Sequence, residues 1–439
     1  MDSSPESSRS RLTLQSYGDA ARYRPGMLVA SQVIDFGNLL VVTALAAAIP
    51  LLLGLVPRLP IPSSVVEILA GIIFGPAVLG LAESGPVVSV LAKLGVVFLL
   101  FLAGLEIDFH VLRGRPLRLA WLAFALSLAI GIVLTLPLGA LDVILDPLYV
   151  TIVLSATSLG IVMPVLKDAG QDTTRTGRYV VAGCTAAEFG SIIVLSLFFS
   201  STGTADPLNT ILKLSVLAVA VFVIAFAVTR GGGWRARLDE VLFRLQDSSS
   251  QPRVRLVVLL LVALVVLSDR LKFDSILGAF LAGAVIAALS DPERDDELGH
   301  VRNKLEAIGF GFLVPVFFVA TGMTFPVTEL FSDSSALLRV PLFLVMLLLV
   351  RGLPVLVLRD DVARSDLLPA GLLQATSLSF IVVAAEIGVQ LGEIRPINGA
   401  SLIAAGMLSV LIFPASALAM LCRGVPDLAP GRYEPADEE

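Results

Sequence analysis

One carboxylate lies in the middle of a long apolar segment. Glu188 is flanked on both sides by small and aliphatic residues in VVAGCTAAEFGSIIVLSLFF (180–199). If that segment crosses a membrane, a charge there costs at least about 3 kcal/mol on insertion scales, which makes the residue a candidate for function. Such a carboxylate binds a proton or a dehydrated monovalent cation, but not both strongly. This competition can couple a cation flux to a proton flux. The alternative is a Glu that stays protonated and hydrogen-bonds to a neighbour.

Two identical groups of hydroxyl residues occur far apart in the sequence. The segment Ala-Thr-Ser-Leu is found at 156–159 and again at 375–378. The hydroxyl residues of the two copies are Thr157, Ser158, Thr376 and Ser377. Gly160 and Pro164 follow the first copy, and neither favours continuation of a helix. We therefore expect two interrupted helices, and ordinary Ser/Thr packing between membrane helices is the alternative.

Other ionisable residues also fall within or at the ends of apolar segments. Arg351 and Glu67 lie at similar depths from the same predicted face, so we expect them to form a structural ion pair. The alternative is that Arg351 extends to the membrane interface. Glu386 lies near the outer end of its segment and is a candidate for the transport pathway. For Glu106 and Asp108 we expect a solvated helix end, and attraction of cations is the alternative.

The composition indicates the class of protein that holds these residues. Of 439 residues, 56% are hydrophobic and only 15% are charged, whereas a soluble domain carries about 25% charged residues. The chain is therefore predicted to be a membrane protein. Its net charge of -6 gives no reason to expect nucleic acid as a partner. We found no phosphate-binding loop, no nucleophile with its base and no Cys/His cluster, so we expect no enzyme, no cofactor and no bound metal.

The elements that must position these residues are apolar segments of about 20 residues, the length that a membrane helix needs. The sequence predicts an all-α polytopic membrane protein with thirteen spans near 37–58, 62–81, 86–106, 118–140, 147–166, 178–200, 208–229, 253–271, 273–291, 304–325, 336–358, 366–388 and 397–421. Most Lys and Arg of the loops fall on one face, which is predicted to be cytoplasmic. The N-terminus is then outside and the C-terminus inside an inner (plasma) membrane.

An internal repeat divides the spans into two sets. Besides the Ala-Thr-Ser-Leu pair, 101–105 is echoed at 319–323 and 69–71 at 281–283, in the same order and at nearly the same offset. The predicted parts are a polar tail (1–36), a first six-helix repeat (37–200), a linker helix with a cytoplasmic loop (201–252), a second repeat (253–421) and an acidic tail (422–439). Because the linker crosses the membrane, the repeats are inverted. Inverted repeats with discontinuous crossing helices are typical of alternating-access transporters.

Five stretches carry a resemblance to a known family. They are VVEILAGIIFGPAVLG (65–80), LGVVFLLFLAGLEID (94–108), SATSLGIVMPVLKD (155–168), PVFFVATGM (315–323) and LLQATSLSFIVVAAEIGVQLG (372–392). Through them the sequence resembles the monovalent cation:proton antiporter superfamily, in its branch of bacterial sodium/proton antiporters and potassium-efflux antiporters. The resemblance implies a homodimer, a core domain that moves against a dimerisation domain, and a cation/proton site at two crossed, unwound helices.

The resemblance also implies roles for particular residues. In this family the sixth span carries a residue pair that ends in an essential Asp, and here that pair is Ala187-Glu188. Electrogenic relatives add a Lys in the tenth span, whereas residues 305–325 contain neither Lys nor Arg. These departures favour exchange without net charge movement. Arg351, and Glu67 before the AG-x-x-x-GP motif, are similar to residues of electroneutral relatives.

The function that the sequence favours is antiport of a monovalent cation, Na+ first, for H+ by alternating access. A K+/H+ antiporter or a K+ efflux pathway is the alternative, and Li+ is a further candidate ion. A channel needs a filter sequence, and none occurs. A third hypothesis, from another functional class, is a sensor or membrane scaffold derived from a transporter. Because the chain stops soon after the last span, we expect no appended soluble domain, which argues against that reading.

Overall fold

The computed structural model describes residues 36–55, 61–107, 114–168, 170–199, 215, 251–289, 295–332 and 334–421. Every regular element in these ranges is helical, as the sequence predicts. The acidic tail, almost all of the polar tail, Asp108 and, apart from Ser215, the predicted linker span lie outside the described residues.

The first set of predicted spans coincides with helices. These are α1 (Phe36–Leu55), α2 (Ser63–Phe74), α3 (Pro86–Leu105), α4 (Arg115–Ala140), α5 (Pro147–Ser155), α6 (Leu159–Asp168) and α7 (Arg175–Phe198). Three of them have Pro in the first turn, where its missing N–H leaves no helical hydrogen bond unmade. The Asp146 carboxylate caps α5 by accepting a hydrogen bond from the Tyr149 N–H at 2.7 Å.

The second set also coincides with helices. These are α8 (Pro252–Arg270), α9 (Ser275–Leu289), α10 (Asp295–Ile308), α11 (Val314–Met323), α12 (Val327–Ser332), α13 (Ser334–Gly352), α14 (Arg364–Gln374), α15 (Ser379–Leu391) and α16 (Pro396–Leu421). A π-helical turn, Gly309–Leu313, joins α10 to α11. Helix α13 continues as a 3-10 helix, Leu353–Leu358, which contains Pro354. A proline removes one backbone donor and favours such a local change of helix type.

Nine helical segments of the described part are long and apolar enough to cross a membrane. Consecutive helices such as α5 and α6 (Pro147–Lys167) are counted as one segment. Two shorter apolar helices, Ser63–Phe74 and Ser275–Ala288, accompany them. The all-α polytopic class is thus confirmed. The number thirteen stays a prediction, because the linker span lies outside the described residues.

The helices pack in two groups. In the scaffold group, α3 packs against α9 and α11, α2 against α11, and α8 against α9. In the crossing group, α4, α5 and α7 pack with one another, α6 packs against α7, and α13 to α16 pack around them. The contacts between these groups are fewer than those within each group. The fold therefore separates the helices that carry the repeated Ala-Thr-Ser-Leu segments from most of the others.

Glycines allow close approach of helix backbones in the scaffold group. Gly71 of α2 meets Gly322 of α11, and Gly104 of α3 meets Gly283 of α9. A Cβ on any of the four would overlap the backbone of the facing helix. In the predicted repeat, Gly71 corresponds to Gly283 and Gly104 to Gly322. The pairing is therefore reciprocal, as a two-fold relation between the repeats requires, while the repeat boundaries themselves stay a prediction.

A charged cluster ties together helix ends at the predicted cytoplasmic face. The Asp361 side chain is only 3% exposed. Its carboxylate accepts hydrogen bonds from Arg115 Nε at 3.0 Å, from an Arg175 terminal nitrogen at 3.1 Å and from the Tyr179 hydroxyl at 3.0 Å. These donors belong to the N-terminal parts of α4 and α7. The loop after the 3-10 helix is thus attached to both helices.

Candidate functional site

Two helices are interrupted at the positions of the repeated segment. The backbone leaves the helical conformation at 156–158, between α5 and α6, and at 375–378, between α14 and α15. The two interruptions contact each other directly, since the Ser158 N–H donates a hydrogen bond to the Thr376 carbonyl at 3.1 Å. The predicted crossing of two discontinuous helices is therefore confirmed.

The hydroxyl groups of the first interruption satisfy backbone groups of the second. Ser158 Oγ accepts hydrogen bonds from the N–H groups of Leu378 at 3.0 Å and Ser379 at 3.2 Å. Thr157 Oγ1 donates a hydrogen bond to the Gln374 carbonyl at 2.6 Å. A helix end leaves such donors and acceptors without intrahelical partners. Ser158 and Thr157 thus replace hydrogen bonds that the break in the second helix removes.

The hydroxyls of the second interruption differ from each other in their hydrogen bonding. Thr376 Oγ1 donates a hydrogen bond to the Leu372 carbonyl at 3.1 Å, as Ser and Thr do along helices. Ser377 Oγ is buried and has no hydrogen-bond partner among the described residues. An unpaired buried hydroxyl costs about 1–3 kcal/mol, which makes Ser377 Oγ a candidate ligand oxygen at the crossing.

Glu188 reaches the crossing from the middle of α7. It is buried, with 7% of its surface exposed. Its Oε2 accepts a hydrogen bond from the N–H of Leu159, the first residue of α6, at 3.2 Å. The N-terminus of a helix carries a partial positive charge, which favours the ionised carboxylate. The structure therefore brings Glu188 together with the repeated segments, as the sequence analysis predicts.

The predicted ion pair between Glu67 and Arg351 is wrong. Arg351 is fully buried and bonds instead to four oxygen atoms. It donates hydrogen bonds to Thr157 Oγ1 at 2.8 Å, Ser127 Oγ at 3.0 Å, the Gly183 carbonyl at 3.2 Å and Gln374 Oε1 at 3.3 Å. Helix α13 packs against α4, α5, α14 and α16, whereas α2 packs mainly against α11. Equal depth in the membrane does not determine which neighbouring helix a side chain faces.

Arg351 therefore holds the two interrupted helices together. Thr157 accepts a hydrogen bond from Arg351 and donates its own to the Gln374 carbonyl. Gln374, the last residue of α14, also accepts a hydrogen bond from Arg351 through its side chain. All four acceptors are neutral oxygens, so the guanidinium remains a buried positive charge beside the crossing.

The other two predicted residues lie away from this site. Glu67 is buried on α2, on the same helix face as Gly71 and Gly75, which approach α11. Glu386 of α15 is exposed, and its Oε1 accepts a hydrogen bond from Gln390 Nε2 at 3.4 Å. Neither residue joins the crossing, and a role for Glu386 in the pathway stays a prediction.

Sequence reasoning missed several polar residues near the site. Ser191 follows Glu188 by three positions on α7 and is fully buried, and its hydroxyl has no partner among the described residues. Positions three apart are neighbours on a helix surface, so this spacing was a usable signal. Ser127 and Gln374 could have been noted as polar residues within apolar spans. Glu106, expected to be solvated, is instead partly buried against Gly160.

Comparison with known protein families identifies the family of this chain. Residues 41–422 match the family of transmembrane sodium/hydrogen exchangers. The chain belongs to the sodium/hydrogen exchanger family. This confirms the resemblance on which part of the sequence analysis rests.

Two relatives and one solved structure illustrate how far the similarity of this family member extends. Over 392 residues the chain is 30% identical to YjbQ of Bacillus subtilis. The aligned region covers 86% of this chain and 62% of that relative. Over 368 residues the chain is 26% identical to antiporter 3 of Methanocaldococcus jannaschii. The aligned region covers 82% of this chain and 91% of that relative. Both are named as Na+/H+ antiporters. This family member therefore spans less than two thirds of the length of the Bacillus relative.

The solved structure shows the fold that this family member shares. It is that of the sodium proton antiporter MjNhaP1 from Methanocaldococcus jannaschii, with a TM-score of 0.64 and 17% sequence identity. The match covers 88% of this chain and 98% of the other. The overall helical fold of this chain is thus shared with that structure.

Proposed function

We propose that this protein is a secondary active antiporter that exchanges a monovalent cation for H+ by alternating access. The observation that carries the proposal is the position of Glu188, a buried carboxylate at the crossing of two interrupted helices. Helix ends of opposite partial charge meet at that crossing. Such sites occur at the centre of transporters built from inverted repeats.

The chemistry follows from mutually exclusive occupation of one carboxylate. A dehydrated alkali cation needs oxygen ligands, and the crossing offers the Glu188 carboxylate and the unpaired Ser377 hydroxyl. A proton on Glu188 removes the negative charge that the cation requires. Each bound form can then cross in one direction, and release of one ion allows binding of the other.

Na+ is the ion that we propose, because the relatives that match over most of this chain are named as Na+/H+ antiporters. A K+/H+ antiporter or a K+ efflux pathway is the less supported alternative. Oxygen ligands bind Na+, K+ and Li+ alike, so the ligand set by itself does not choose among them. Selectivity among these ions depends on the distances between the bound ion and its oxygen ligands.

We propose a stoichiometry of one cation for one proton. Glu188 is the carboxylate that hydrogen-bonds to the crossing, where Arg351 adds a fixed charge, and its neighbour in the family's residue pair is Ala187. Residues 305–325, which include α11, contain no Lys or Arg that could release a second proton. The proton-loaded and cation-loaded sites then carry the same net charge.

We also propose the membrane, the orientation and the oligomeric state in which this exchange takes place. The apolar helices place the protein in a membrane, and we take this to be the inner (plasma) membrane, with the N-terminus outside and the C-terminus cytoplasmic. The family resemblance supports a homodimer. The separation of the scaffold group from the crossing group supports movement of one group against the other.

Reconstitution into proteoliposomes tests the proposal. Proton flux is followed with a pH-sensitive dye after addition of Na+, K+ or Li+ in turn. The wild-type protein should release protons on addition of Na+, and Glu188→Gln should fold but show no cation-dependent flux. Glu329→Gln, which changes an exposed carboxylate of α12, is the matched control and should behave as wild type. Normal flux in Glu188→Gln would refute the proposal.

A further inference from the structure

A second carboxylate approaches the crossing from the scaffold group. Glu106 forms the C-terminal cap of α3. Both of its carboxylate oxygens lie 3.4 Å from the position that a Cβ would occupy on Gly160. Gly160 is the second residue of α6, and a Cβ there would be in ordinary van der Waals contact with the carboxylate. Glu106 thus contacts a helix that belongs to the other group.

The contact brings Glu106 to the same end of α6 as Glu188. The first two residues of α6 are approached by different carboxylates, Leu159 by Glu188 through its N–H and Gly160 by Glu106. Because these residues are consecutive, standard backbone dimensions limit the separation of the two carboxylates to about 14 Å. The unpaired Ser377 hydroxyl is a further oxygen at this crossing. The crossing therefore has oxygen groups supplied by helices of both groups.

The charged groups around Glu106 indicate which side of the protein it faces. Lys167 in the last turn of α6, Arg302 and Glu306 on α10, and Glu188 on α7 all lie within electrostatic reach of it. Arg302 already pairs with Glu306 at 2.7 Å. With the N-terminus outside, the fifth predicted span (147–166) ends and the tenth (304–325) begins at the cytoplasmic face, so Lys167 and Arg302 belong to that basic face. Glu106, which contacts α6 beside the residue that hydrogen-bonds to Glu188, therefore has both that face and Glu188 within electrostatic reach.

We propose that Glu106 is the carboxylate through which the transported cation passes between the basic face and Glu188. The inference rests on the proposed antiport function. A carboxylate between basic loops and a buried site offsets their repulsion of cations and raises the local cation concentration. The competing explanation is structural, because an acidic residue at the N-terminus of α6 also stabilises that helix.

The test separates cation affinity from stability. Initial rates of Na+-dependent proton flux in proteoliposomes give KM and kcat, and thermal unfolding in detergent gives Tm. For Glu106→Gln we expect KM for Na+ to rise about tenfold, within the range of electrostatic steering, while kcat and Tm remain near wild type. Glu106→Asp, which keeps the charge, should restore most of the affinity. Glu306→Gln removes a neighbouring carboxylate and is the matched control.

A second variant moves the carboxylate without removing it. Gly160→Val extends a branched side chain from a Cβ position that lies 3.4 Å from both Glu106 oxygens. It should displace the carboxylate and so also raise KM, and its result decides the matter if Glu106→Gln does not fold. A wild-type KM in folded Glu106→Gln would overturn the inference. So would an equal rise in Glu306→Gln, which would indicate a general surface-charge effect, or a lower Tm in Glu106→Gln without a change in KM. Failure of the antiport function itself would show separately, as flux that persists in Glu188→Gln.

Discussion

Arg351 Nε donates a hydrogen bond of 2.8 Å to Thr157 Oγ1, which connects α13 to the interruption between α5 and α6. The same guanidinium reaches the side chain of Gln374, the last residue before the second interruption. One buried side chain thus contacts both broken helices. In the proposed function, this contact supports the shape of the site and Glu188 carries the exchange chemistry.

Arg351 should be important for stability and independent of Glu67. Arg351→Met removes four buried hydrogen bonds, and bonds to a charged group contribute about 1.5–3 kcal/mol each, so Tm should fall strongly. Glu67→Gln changes a residue on α2, which packs elsewhere. In a double-mutant cycle of thermal unfolding, we expect the two effects to add within about 0.5 kcal/mol. A coupling several times larger would show that the two side chains interact.

Ser158 should support the second interruption through its side chain. Its Oγ accepts hydrogen bonds from two backbone N–H groups at the start of α15. Ser158→Ala leaves both without this acceptor, so we expect a loss of about 2 kcal/mol in the free energy of unfolding and slower exchange. Ser416→Ala removes an exposed hydroxyl that bonds within its own helix and is the control. Equal stability of the two variants, measured by thermal unfolding, would contradict this role.

The close approach of α2 and α11 predicts a steric effect. Gly71→Ala would place a Cβ against the Val319 carbonyl oxygen and Gly322, so the two helices would have to separate and Tm should fall. Gly54→Ala on α1 is the matched control, because a Cβ there meets no atom within 4 Å. Helix propensity favours Ala over Gly by about 1 kcal/mol, so Gly54→Ala should be neutral or slightly stabilising. A harmless Gly71→Ala would show that the contact tolerates a methyl group.

The Asp361 cluster predicts a stability effect with a defined pH dependence. Burial by itself raises the pKa of Asp361, but hydrogen bonds from Tyr179, Arg115 and Arg175 and the charge of Arg115 outweigh it, so the pKa lies below its ordinary value. A carboxylate with a lowered pKa adds stability above its unfolded pKa, about 3.9, and that stability is lost as the pH falls through the folded value. Asp361→Asn should therefore lower Tm by a similar amount at pH values from about 6 to 8, with the difference shrinking only below about pH 4.

Thermal unfolding of wild type and Asp361→Asn across that pH range checks this prediction. Asp360→Asn is the matched control, because the Asp360 side chain is 74% exposed and its pairing distance to Arg359 is 3.8 Å. Exposed pairs of this kind contribute little to stability. A difference between wild type and Asp361→Asn that already disappears near neutral pH would refute the assigned role of the carboxylate.

Electroneutral exchange predicts that membrane potential has no effect on transport. Moving one net charge across 100 mV involves about 2.3 kcal/mol, which a one-for-one exchanger does not sense. Proteoliposomes are clamped at several potentials with an ionophore and an ion that the protein does not transport. Initial rates and the reversal point should then follow only the pH and Na+ gradients. A shift of either quantity with voltage would require a second charge carrier, for which Glu386, Glu67 and Glu106 are the candidates.

Several features of this protein followed from the sequence because they depend on local properties of the chain. Apolar length determines which segments can span a membrane, and the predicted spans outside the linker coincide with helices. Gly160 and the hydroxyls of the repeated Ala-Thr-Ser-Leu segment indicated where two helices break. The depth of Glu188 in its span singled it out, since the cost of a membrane charge depends mainly on depth. These properties need no knowledge of neighbouring helices.

The partners of the buried charges were decided by tertiary structure alone. Similar depth in the membrane suggested Glu67 as the partner of Arg351. The packing of α13 against α4, α5 and α14 gives Arg351 neutral acceptors instead. Glu106 looked like a solvated helix end, yet the approach of α3 to α6 turns its carboxylate toward Gly160. The physical reason is the same in both cases. A sequence gives the position of a residue along its helix, whereas its contacts depend on how that helix is rotated and on which helices pack beside it.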